Sequence, residues 1–326
     1  MLPALAVLAA ALCFATTGTA QALADVDASP LAVGAARIVV GGGILGVIAL
    51  LRVRPRTGSP GTKSPTAKGP TALGPTAKGP TALGPTAKSP TALLIAIGAA
   101  GVLAYQPLFF LGTRENGVAI GTVVALGSAP IATGIVDAIR SRRLPSGRWM
   151  LATAIALAGV VLVSGVTGGA VTLAPAGLLA SAGAGMSYAL YTVCGKALIE
   201  RGWDSTRVMG TVFGAAAVAS VPVLLAAGTS WLATPNGVML TLWLGVVTTA
   251  VAYLLFGWGL ARLTAVTVST LTLAEPLGAT LLGLLVLHEQ LTAVSAVGLA
   301  LIAVGLAVVS APSRRREGVP DATAPA

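Results

Sequence analysis

Apolar runs of about twenty residues recur ten times along this chain of 326 residues. Their approximate bounds are 3–23, 31–51, 92–112, 117–138, 147–165, 173–195, 206–227, 238–261, 265–286 and 291–310. A helix rises about 1.5 Å per residue, so about twenty residues cross the ~30 Å hydrocarbon core of a bilayer. Each run therefore matches one crossing. Transmembrane barrels are built from alternating segments of ~10 residues, about half this length. Only 9% of the residues are charged, where soluble domains average about 25%. The 41 glycines suit helices whose backbones approach closely in lipid. The expectation is an all-α integral membrane protein with ten transmembrane helices.

The basic residues set the orientation. A net charge of +10 would point to nucleic acid in a soluble chain, but here 18 of the 20 lysines and arginines fall in alternate connections, on one side of the ten runs. The positive-inside rule then places both termini in the cytoplasm and leaves no nucleic-acid partner to explain. The N-terminal run lacks the basic flank of a secretory signal and reads as the first span. Cys13 and Cys194 lie inside apolar runs without metal-ligand spacing and read as packing residues.

The chain also resembles itself. ALAGVVLVS at 156–164 matches IAVGLAVVS at 302–310, an offset of 146 that also superposes Pro130 on Pro276. Near the start of each half, Phe14-Ala15 matches Tyr188-Ala189 at an offset of 174. The first half must therefore carry extra residues between its second and third spans. Five spans per half is an odd number, so the two five-helix repeats are expected to be inverted, as in many secondary transporters. The resulting division is spans 1–2 in 1–51, a linker in 52–91, spans 3–5 in 92–165, the second repeat in 173–310 and a tail in 311–326.

The extra residues are visible as six pentads, KSPTA, KGPTA, LGPTA, KGPTA, LGPTA and KSPTA. A proline in each pentad opposes helix and sheet, so the linker and the tail read as disordered and cytoplasmic. The linker is either a lysine-bearing arm for anionic headgroups or a tolerated repeat expansion.

The C-terminal pattern AEPLGATLLGLLVLHEQLTAVSAVGLALIAVG, with Glu275-Pro276 and then His288-Glu289-Gln290-Leu291-Thr292, resembles the EamA family of the drug/metabolite transporter superfamily. The first-half counterpart ALGSAPIATGIVDAI fits the same pattern, with Ala129 in place of the glutamate. The resemblance covers nearly the whole chain outside linker and tail. It implies a secondary carrier in the cell membrane, most often an exporter of small metabolites or drug-like compounds, with protons as one candidate coupling ion.

Glu275 leads the candidate site residues. It sits ten residues into its span, about 15 Å along the helix and near mid-membrane. A carboxyl there is expensive and functional by default, and Pro276 beside it removes a helical hydrogen bond and frees carbonyls. The pair reads as a kink opening polar backbone beside a group able to gain and lose a proton. The bland reading is a permanently protonated glutamate bonded to a neighbouring helix. Arg37 either snorkels to the outer surface, anchors a substrate carboxylate or partners Glu275. Tyr105, Gln106, Tyr188, Tyr191 and Pro130 are candidates for cavity lining, with Tyr253 and Trp258 weaker ones. Asp137 reads as a surface partner of Arg140, and His288 and Glu289 as loop residues.

No glycine-rich phosphate loop supports ATP drive within the chain, and no acidic or histidine cluster supports a metal, a cofactor or a membrane-embedded enzyme. The function expected is export of a small-molecule substrate, with uptake as the alternative and an enzyme or scaffold far behind. Sequence does not indicate an oligomeric state.

Overall fold

A computed structural model of the protein describes residues 1–52, 90–164, 173–288 and 292–311, and all regular structure within them is helical. The pentad linker, the tail and Glu289 lie outside the described residues. The principal helices are α1 (Leu2–Ala24), α2 (Pro30–Leu51), α3 (Pro90–Gly117), α4 (Ile120–Ser141), α5 (Gly147–Val163), α6 (Pro175–Glu200), α7 (Ser205–Ala227), α8 (Pro235–Leu260), α9 (Ala265–Val286) and α10 (Ala293–Ser310).

Eight of these helices are long and apolar enough to cross a membrane. The other two are α5, which is apolar but 17 residues long, and α6. At 26 residues α6 is long enough, but it carries Ser181, Ser187, Tyr188, Tyr191 and Thr192 on buried faces. A helix shielded from lipid by its neighbours need not be apolar on every side.

Helix starts follow local chemistry. Ser29, Ser146, Asp204, Thr234, Thr264 and Thr292 each accept a hydrogen bond from a backbone N–H in the first turn. Such caps satisfy donors that a helix leaves unpaired. Between α3 and α4 the chain turns at Gly117, whose φ of 81° favours glycine. The Asn116 amide fixes that turn against the start of α6: its Nδ2 donates to Ala174 O at 3.1 Å, and its Oδ1 accepts from Ala174 N at 2.7 Å.

Among the helix pairs that come into backbone contact through small residues, two have reciprocal contact sets. In α2 and α7, Gly42 lies against Phe213 and Ala217, while Gly210 lies against Leu45 and Ala49; Gly46 faces Gly214 between them. In α5 and α10, Gly159 lies against Gly298 and Ile302, while Gly305 lies against Ala152 and Ala156. Ascending positions on one helix meet descending positions on the other, so both pairs run antiparallel. Each contact set is unchanged when its two helices are exchanged. The remaining contacts follow the same rule: α1 packs on α8 and α9, and α6 packs on α3 and α4. Gly259 approaches Val7 and Gly278 approaches Ala15, as Gly101 and Gly185 approach α6 and α4 from the other side.

A Cβ at Gly42 would fall 2.5 Å from Phe213 O, whereas one at Gly43 would meet nothing within 4 Å. Gly42→Val is therefore expected to destabilise the fold by roughly 1–3 kcal/mol through overpacking, and Gly43→Val to cost little. Thermal unfolding in one detergent would check the contrast, and equal melting points would contradict the packing described.

Candidate functional site

Helix α9 is interrupted where the sequence places its proline. Its first part, Ala265–Leu271, and its second, Ala274–Val286, are separated by Thr272 and Leu273. Pro276 has no N–H to offer Thr272 O, and its ring crowds that carbonyl. Glu275 N takes the bond instead, at 2.9 Å, and Leu273 N bonds Thr270 O at 3.1 Å. These are tighter, three-residue turns. The interruption is braced from two sides. On α5, Trp149 Nε1 donates to Val266 O at 2.8 Å and to Thr270 Oγ1 at 2.9 Å, and Thr153 shares a hydrogen bond with Thr270. On α6, the Tyr188 hydroxyl pairs with Thr272 Oγ1 at 3.0 Å.

Helix α8 carries a second irregularity. Residues Trp243–Val251 wind as a wider π-helix, and Thr249 Oγ1 donates back to Leu244 O at 2.9 Å, five residues earlier. Arg37 on α2 reaches this segment. Its Nε donates to Thr249 Oγ1 at 3.0 Å and its Nη2 to Thr248 O at 3.1 Å, while its guanidinium lies 6.0 Å from the Phe14 ring centre. Arg37 thus turns inward rather than snorkelling to the surface. π-Segments inside helices are frequent at functional sites.

These elements surround one small cavity of about 60 Å³. Its walls include Phe14 of α1, Arg37 of α2, Tyr105 of α3, Ala129 of α4, Thr272 and Glu275 of α9, and three further tyrosines. The tyrosines are Tyr188 and Tyr191 of α6 and Tyr253 of α8, so all four tyrosines of the chain face the same space. Tyrosines in membrane proteins usually gather at the lipid–water interfaces. Here Tyr191 and Tyr253 share a hydrogen bond of 3.2 Å, and Tyr253 packs against Phe14 and Phe213 with ring centres 5.1 and 3.9 Å away. Arg37 and Glu275 both line the cavity, and no ion pair joins them; no hydrogen bond reaches the Glu275 carboxyl among the described residues.

Other candidates fall elsewhere. Gln106 packs against Gly34 and lines a separate groove with Pro107 on the α2 side. Pro130 is buried in α4 next to Ala129 but does not line the cavity, and Pro276 shapes it through the backbone. Trp258 stacks on Arg262 at a helix end, 3.9 Å from ring centre to guanidinium. Arg140 pairs with Glu200 of α6 rather than with Asp137, and His288 is exposed. Thr248, Thr249 and Thr272 join the site without being among the sequence candidates, and Tyr253, a weaker candidate, lines the cavity. The available signal was a polar stripe, Thr249 and Tyr253 one turn apart, in an otherwise apolar run. No group of His, Cys, Asp and Glu suited to a metal occurs among the described residues.

The model of the EamA-like transporter family matches residues 1–165 and again 175–311. A relative from Bacillus subtilis (strain 168), "Uncharacterized transporter YwfM", is 35% identical over 311 residues, covering 95% of this chain and 94% of its own. One crystal structure superposes with a TM-score of 0.72 at 19% identity, covering 94% of this chain and 96% of the other, and so shares the fold.

The Tyr188–Thr272 bond is expected to contribute about 1 kcal/mol. A double-mutant cycle of Tyr188→Phe and Thr272→Val, read by unfolding in detergent, should give a coupling energy of that order. Additive effects of the two changes would remove this brace from the account of α9.

Proposed function

The chain belongs to the EamA-like transporter family of the drug/metabolite transporter superfamily, and on that premise we propose that it is a secondary active exporter of a small metabolite, working by alternating access. The observation that carries this reading is the central cavity. Helices from both family-matched segments build it, and it gathers Arg37, Glu275 and every tyrosine of the chain into the interior. Hydroxyls, a guanidinium and a carboxyl set between aromatic walls fit a small polar solute with some apolar surface. Ligand pockets are commonly ~300–1,000 Å³, so the cavity must widen for a metabolite to enter.

The topology proposed with it is ten crossings in two inverted halves, both termini cytoplasmic in a cell membrane. The antiparallel, reciprocal contacts of α2 with α7 and of α5 with α10 support an axis relating the halves in the membrane plane. Rocking about those pairs would open the cavity to each side in turn. The unequal distribution of lysine and arginine supports the cytoplasmic assignment.

Glu275 is the coupling group in this reading. Its carboxyl lies at mid-helix, faces the cavity beside the break at Thr272–Leu273, and has no hydrogen-bond partner among the described residues. It is free to exchange a proton or a substrate cation as the cavity changes side. Arg37, held by Thr248 and Thr249, supplies a fixed positive charge opposite it.

Metabolite pools of cells overexpressing the chain, compared with cells expressing Glu275→Ala at equal membrane levels, test the proposal. A compound enriched outside only with the intact chain is the expected result. Enrichment inside would reverse the direction to uptake, and unchanged pools would contradict transport. For the compound so identified, Glu275→Gln is expected to abolish drive by a proton gradient in proteoliposomes; unchanged pH dependence would end the coupling role.

A further inference from the structure

On the outer face of the α2–α7 pair lies a groove of about 680 Å³, separate from the central cavity. Val39, Gly43 and Val47 form one wall, and Thr211, Ala215 and Val218 the other. Val47 and Val218 are exposed, so in a bilayer this face meets acyl chains. From Val39 to Leu50 the α2 wall rises about 16 Å, close to the ~15 Å of one hydrocarbon leaflet. Gly43 makes the groove deep: a Cβ there would meet nothing within 4 Å.

One end of this groove is cationic. Arg207 lines it and stacks on Trp203, its guanidinium 4.3 Å from the ring. Arg52, at the end of α2, donates from Nη1 to Thr206 Oγ1 at 3.3 Å, which brings it beside Arg207. Neither guanidinium forms an ion pair among the described residues. The nearby Asp204 carboxylate accepts from Thr206 N and Arg207 N, so it is engaged in capping α7. Two arginines without carboxylate partners, a tryptophan at the same level and an apolar trough one leaflet long match an anionic amphiphile in both charge and shape. Guanidinium is the side chain best suited to phosphate oxygens.

We propose that this groove is a binding site for an anionic phospholipid, with the phosphate held by Arg52 and Arg207 and an acyl chain laid between α2 and α7 over Gly43. Because α2 and α7 come from different family-matched segments, the bound lipid would touch both at once.

The test uses the full-length protein in detergent, with melting temperature followed as dioleoyl phosphatidylglycerol or dioleoyl phosphatidylcholine is added. Phosphatidylglycerol should raise the melting temperature at lower concentration than phosphatidylcholine. Each of Arg52→Gln and Arg207→Gln should raise the phosphatidylglycerol concentration needed by about fivefold, the scale of one basic side chain near a membrane surface. Gly43→Leu should weaken the effect of phosphatidylglycerol by filling the trough, while its melting temperature without lipid stays close to that of the parent. Four results would overturn the site. Equal responses to the two lipids would mean the groove takes lipid without regard to charge. An unchanged phosphatidylglycerol response in the variants would place the lipid elsewhere. A change confined to the dimer fraction, read by mass in detergent, would assign the groove to a second copy of this chain. Glycerol phosphate as a chainless control should have no effect; a full response to it would reduce the site to anion binding at the arginines.

Discussion

Helices in lipid gain nothing from hiding apolar surface against one another, because acyl chains are as apolar as leucine. What holds this fold is backbone approach. Gly42, Gly46, Gly210 and Gly214 let α2 and α7 touch along their axes, and Gly159, Gly298 and Gly305 do the same for α5 and α10. Close approach multiplies weak dispersion contacts between the helix backbones. Those two seams frame the centre, so the remaining helices are free to carry irregular backbone.

That irregularity is concentrated on two helices of the second half. Pro276 divides α9, and the π-segment Trp243–Val251 widens α8. Broken backbone at membrane depth is tolerable only where its polar groups find partners. Here Trp149, Thr153 and Tyr188 hold the broken part of α9, and Arg37 takes a carbonyl from the widened part of α8. The same substitutions of side chain for helix bonding bring hydroxyls, a guanidinium and the Glu275 carboxyl to one cavity. The first-half equivalents differ in kind: α4 presents Ala129 where α9 presents Glu275. The cavity chemistry is thus unequal although the contacts of α2 with α7 and of α5 with α10 are reciprocal.

Much of this was legible in the chain. Apolar run length located the eight helices long and apolar enough to cross a membrane, and the runs read from 31, 147, 265 and 291 start within two residues of α2, α5, α9 and α10. The break beside Glu275 could be read because proline acts locally. Arg37 could not be placed, because its partners lie more than two hundred residues away, on a segment whose π-winding leaves no trace in VVTTAV. The same limit hid Gln106, which shares a helix turn with Tyr105 but faces Gly34 rather than the cavity. Periodicity tells which residues share a face, and only packing tells what that face meets.

The central claim is that the cavity around Ala129, Arg37 and Glu275 opens to the two sides of the membrane in turn. A single cysteine placed by Ala129→Cys, with Cys13 and Cys194 changed to alanine, tests it without knowledge of the substrate. Reaction of that cysteine with a membrane-impermeant thiol reagent would be followed in cells and in inverted vesicles. The account predicts modification from both faces, at rates that shift in opposite directions when Glu275→Gln is added. Modification from one face only, unaffected by Glu275→Gln, would contradict alternating access at this cavity.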